Sequence, residues 1–82
     1  MADDSFPVAN AVLEAHGQAC AYLTPLIQAS MRELASGTVL EVRSDDPAAR
    51  EGVPAWSRLT GNELVAALPE DSERTRFYLR KR

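Results

Sequence analysis

Thr38-Val39-Leu40-Glu41-Val42-Arg43-Ser44-Asp45-Asp46-Pro47 changes its period partway along, and that change decides the fold. From Thr38 to Arg43, Leu40 and Val42 share one side and Glu41 and Arg43 the other. This is the alternation of a strand with one buried and one wet face. Asp45-Asp46-Pro47 then reads as a helix start. The Asp46 carboxylate can accept from free N–H groups, and Pro47 in the first helical position lacks only an N–H that would go unused there.

Upstream, Leu23, Ile27, Met31 and Leu34 recur every three or four residues, so 21–34 is expected to form a helix with one apolar face, stopped by Gly37. Before it, Val12 to Ala15 offers a short first strand. Downstream, the helix from Pro47 meets Gly52 and the Val53-Pro54 step, which predict a kinked or two-part helix carrying Trp56 and Leu59 to a stop at Gly61. Asn62 to Leu68 and Arg74 to Arg80 read as strands joined by the polar loop Pro69-Glu70-Asp71-Ser72-Glu73. The order is βαβαββ: an α/β two-layer sandwich with two helices packed on one face of a four-stranded mixed sheet. Leu13, Leu23, Ile27, Met31, Leu34, Leu40, Val42, Leu64, Phe77 and Leu79 are the expected core. Glu41, Arg43, Tyr78 and Arg80 are expected to face out.

A chain of 82 residues has room for a single domain (1–82), residues 1–7 reading as a flexible leader. At this size about 60% of the unfolded surface is buried on folding. Hydrophobic residues at 45% and charged ones at 26% belong to a folded protein rather than a disordered one. The net charge of −3, with acids clustered at Asp45-Asp46 and Glu70-Asp71, argues against a phosphate-backbone partner, so no nucleic acid is expected. No apolar run reaches membrane length and no secretory signal pattern opens the chain, so the expected setting is cytoplasmic, with no membrane partner.

Cys20 is the sole cysteine, so no internal disulfide can form. It stands where the first strand gives way to the first helix. A thiol at a helix start gains from the positive end of the helix dipole and from unpaired N–H groups, both of which favour the thiolate. The plainer alternative is a small buried hydrophobe. Pro25 leaves the helix start open between Cys20 and a Thr24 cap followed by Pro25, which would set the thiol about one turn from the dipole end. His16 reads as a solvated neighbour of Glu14, and Trp56 as a core residue. Asp45, Asp46 and Glu51 lack the ligand ladder of a calcium loop, and no metal or cofactor is expected. The basic residues from Arg74 to Arg82 read either as a stripe that steers acidic partners or as protection for an edge strand.

Leu13-Glu14-Ala15-His16-Gly17-Gln18-Ala19-Cys20, Gly37-Thr38-Val39-Leu40-Glu41-Val42, Asp45-Asp46-Pro47-Ala48, Val53-Pro54-Ala55-Trp56 and Gly61-Asn62-Glu63-Leu64 together resemble the TusA/SirA/YedF sulfur-transfer family. The resemblance covers most of the chain. It implies the same βαβαββ sandwich, and a catalytic Cys20 that takes sulfur as a persulfide from a donor such as a cysteine desulfurase or rhodanese-like protein and passes it to a downstream acceptor protein. No cofactor is implied. The family signature, cysteine followed by proline, any residue and proline, here reads Cys20-Ala21-Tyr22-Leu23. A noncatalytic interaction module that keeps the fold without sulfur transfer is the competing function. A self-contained enzyme fits less well, since no Ser/His/Asp set, phosphate loop or metal cluster is present.

Overall fold

The computed structural model describes residues 9–17 and 20–82, with the backbone alone for Cys20 and Ala21. The expected leader lies outside the described residues. The elements are β1 (Ala11–Ala15), α1 (Cys20–Arg32), β2 (Val39–Ser44), α2 (Ala49–Thr60), β3 (Glu63–Pro69) and β4 (Thr75–Arg80). The strands form a single mixed sheet in the order β1-β2-β4-β3. β1 runs parallel to β2, and β4 is antiparallel to both of its neighbours, β2 and β3.

The inward side of β2 behaves as its alternation requires. Leu40 and Val42 are buried with Phe77 and Leu79 of β4, and Leu23, Ile27 and Met31 of α1 and Ala49, Val53 and Trp56 of α2 complete the core. Leu13, Leu34 and Leu64 pack at its margin. Leu59, expected on the same helical turn as Trp56, is instead 87% exposed.

The other sheet face corrects the expected wet side. Glu41 is 7% exposed and Tyr78 1%, although both lie on the face away from the core side chains. Arg43 stands opposite Arg76 in the register, and two like charges in that position repel. Glu41 relieves this: its Oε2 lies 2.5 Å from Arg43 Nε and 3.9 Å from Arg76 Nη1. Glu14 on β1 takes the Arg43 Nη1 at 2.6 Å, and Glu70 takes Arg76 Nη2 at 3.2 Å. The face is thus roofed by an ion-pair ladder with buried members, and burial pushes the Tyr78 phenol up. Arg43 is half-buried, and Arg80 is exposed as expected.

β4 lies inside the sheet, so its basic residues do not guard an edge. Arg74, Arg76 and Arg80 are paired with Asp71, Glu70 and Glu63 in turn, and a free positive stripe is not formed there.

Both helices depart from their expected ends. α1 stops at Arg32, well before Gly37; a tight turn follows, with Leu34 N–H donating to the Met31 carbonyl at 3.1 Å. Gly37, at φ +87°, instead donates to the Lys81 carbonyl and starts the approach to β2. α2 opens at Ala49 rather than Pro47, because the chain first makes a tighter turn in which the Asp46 carbonyl accepts from Ala49 N–H at 3.0 Å. α2 is also one helix and not two pieces: it continues through Gly52 and Pro54. Proline there removes a single intrahelical bond, which the buried Val53 and Trp56 offset. Gly61 ends it as expected, in the left-handed conformation (φ +77°), donating to the Ser57 carbonyl.

Candidate functional site

β1 and β2 are parallel, so the loops that follow them emerge at the same end of the sheet. β4 enters at that end too, since Ser44 is in register with Thr75. The start of α1, the start of α2 and the β3–β4 hairpin tip therefore share one pole of the molecule, at the carboxyl ends of the parallel strands.

Hydrogen bonds lock these loops together. Gly17, at φ +84°, donates its N–H to Asp45 Oδ1 at 2.8 Å, tying the turn before α1 to the turn before α2. Asp46 Oδ1 accepts from Ala48 N–H at 3.0 Å, and Asp46 N–H donates to Ser44 Oγ at 3.2 Å. Arg50 in α2 reaches the hairpin, donating from Nε to Thr75 Oγ1 at 2.8 Å and from Nη2 to the Asp71 carbonyl at 2.5 Å. Within the hairpin, Asp71 Oδ1 accepts from the backbone N–H groups of Arg74 and Glu73. These bonds, followed by that from the Arg74 side chain, lower the Asp71 pKa to about 2.

Cys20 is the first residue of α1, so its backbone sits where the helix dipole is positive. The structure thereby chooses between the two starts left open by the sequence: Pro25 is an interior residue of α1 and the Thr24 cap is not used. His16 is exposed, with Nδ1 3.5 Å from Glu14 Oε1. Among the described residues no three His, Cys, Asp or Glu side chains come together as a metal site. Asp45 and Asp46 serve the loop hydrogen bonds described above.

Two features of the pole went unread in the sequence. Asp45 is a tether for the thiol loop, a role that needs the third dimension to appear. Tyr22 and Leu26 are 67% and 37% exposed on α1, within two turns of Cys20. Their spacing of four, offset by one from Leu23 and Ile27, was the available signal.

The family model for sulfurtransferase TusA matches residues 11–81, from the first residue of β1 to the residue after β4. The chain belongs to the TusA family. YrkI of Bacillus subtilis (strain 168) is 34% identical over 70 residues, covering 85% of this chain and 92% of YrkI. The sulfur carrier protein TusA of Pseudomonas savastanoi pv. phaseolicola is 33% identical over 73 residues, 89% of this chain and 86% of that one. The crystal structure of a SirA-like protein from Desulfitobacterium hafniense superposes with a TM-score of 0.74 over 85% of this chain and 95% of that one, at 20% identity. That likeness is one of fold, the expected two-layer sandwich.

Within this TusA-family chain the signature departure takes on a structural meaning. Leu23, at the position of the second signature proline, is fully buried in the core. Pro25 supplies a fixed φ slightly later in the same helix.

Proposed function

We propose that this single-domain chain is a cytoplasmic sulfur carrier that holds sulfur on Cys20 as a persulfide. The observation carrying the reading is that Cys20, the sole cysteine of a TusA-family chain, opens α1. The Cys20 thiolate attacks the outer sulfur of a donor persulfide; a new S–S bond forms on Cys20, the donor's S–S bond breaks, and the donor cysteine leaves as a thiolate. Delivery to the acceptor repeats the exchange with Cys20 as leaving group. The helix start favours Cys20 as an anion in both directions. No oxidant is consumed.

The partners are a desulfurase or rhodanese-like donor and a protein acceptor. Tyr22, Pro25 and Leu26, exposed beside the thiol end of α1, support transfer by direct protein contact. The interaction-module alternative has no observation in its favour. Incubation with a cysteine desulfurase and cysteine, followed by intact-mass measurement, tests the proposal. A gain of one sulfur, lost on reduction and absent in Cys20→Ser, is expected. An unchanged mass with every persulfide donor tried, in a chain that folds normally, would overturn it.

A further inference from the structure

The pole opposite Cys20 holds a second site. α1 contains 13 residues, which at 1.5 Å each places its far end about 18 Å from its start. There the ends of α1 and α2 meet the end of β4 around a cavity of about 380 Å³, lined by Gln28, Arg32, Thr60, Asn62, Lys81 and Arg82 along with Met31. A volume of this order is that of a small-molecule pocket.

Its charges set it apart from the rest of the surface. Arg43, Arg74, Arg76 and Arg80 each face a carboxylate, whereas Arg32, Lys81 and Arg82 have none within ion-pair distance among the described residues. Two helix C-termini converge here, each carrying about half a negative charge, and together they balance roughly one of the three cations. The surplus is positive. Lys81 illustrates the division: its Nζ donates to the Met31 carbonyl at 2.5 Å, which leaves two of its protons free.

The cavity's neutral polar groups are largely committed to holding its shape. Asn62 accepts the Arg82 N–H at 3.0 Å and donates to Thr60 Oγ1 at 3.0 Å. Gly61 keeps Arg82 in place by having no side chain: a Cβ there would lie 2.7 Å from Arg82 Nη1. What remains to meet a ligand is the Arg32 and Arg82 guanidinium groups, the free Lys81 protons and the Gln28 amide.

We propose that this cavity binds a phosphorylated small molecule, its phosphate oxygens taken by Arg32, Lys81 and Arg82 through charge-assisted hydrogen bonds. The site is independent of the thiol, and binding there is read without sulfur transfer. The test is titration of the whole chain, at constant ionic strength, with inorganic phosphate, inorganic pyrophosphate and ADP. Amide NMR shifts and melting temperature are followed. Pyrophosphate is expected to give saturable shifts confined to residues 28–32, 60–62 and 81–82 below about 1 mM, and to raise the melting temperature. Arg32→Gln, on an exposed side chain, is expected to weaken it about tenfold while leaving Cys20 alkylation unchanged. Equal affinity for pyrophosphate and ADP would assign recognition to the phosphates alone; tighter ADP would place its organic part in the rest of the cavity. Shifts that never saturate, that appear equally around Arg58 and Arg74, or that persist unchanged in Arg32→Gln would overturn the proposal.

Discussion

Leu23 shows how one residue can serve two demands that a family signature keeps apart. Where the signature places proline, this chain places a fully buried core leucine, so the helix start is held from inside by packing. The two signature positions therefore separate. Ala21→Pro falls in the first turn of α1, where proline forfeits no intrahelical bond, and should leave the melting temperature nearly unchanged while raising sulfur loading if it stiffens the thiol's setting. Leu23→Pro removes a core side chain and should cost about 2–5 kcal/mol in denaturant unfolding. Asp71 gives a second prediction at this scale. Its folded pKa of about 2 lies below the unfolded value of about 3.9, so its contribution to stability is complete above that unfolded value and is lost as pH falls through about 2. An acid melting series should show Asp71→Asn losing less stability between pH 4 and pH 2 than the parent chain.

At the scale of elements, the turn into α2 was read correctly in chemistry and misplaced in position. Asp46 does accept a backbone N–H, but it belongs to a tight turn two residues before the regular helix, a detail that depends on Ser44 Oγ accepting the Asp46 N–H. Asp46→Ala should destabilise by about 1 kcal/mol without altering the rate of Cys20 alkylation. Equal denaturant midpoints for the two proteins would show the turn to be held without it. The continuity of α2 through Pro54 follows from the same competition. A local rule predicts a break, and burial of Val53 and Trp56 on either side of the proline overrides it.

For the molecule as a whole, the core joins every layer: Phe77 from the middle of the sheet is buried with residues of both helices. Phe77→Ala should cost about 3–5 kcal/mol and lower the unfolding midpoint without changing the transition's cooperativity, as measured in denaturant. The ion-pair ladder on the other face also spans the sheet, linking β1, β2 and β4 and the hairpin through Glu14, Arg43, Glu41, Arg76 and Glu70.

The sequence by itself determined the element order, the inward faces of α1, β2 and β4, the cap at Gly61 and the candidate thiol, because each is written in a period or residue type acting over a few positions. Tertiary structure decided what distant segments do to one another. It put β4 inside the sheet, where a terminal basic strand had looked like an edge, and buried Glu41 by bringing two arginines to it from adjoining strands. It also joined Gly17 to Asp45, 28 residues apart, and gathered three unpaired cations from α1 and the end of β4 around one cavity. Alternation tells which way a side chain points. Its burial and its charge partners depend on strand order and register, which no local pattern contains.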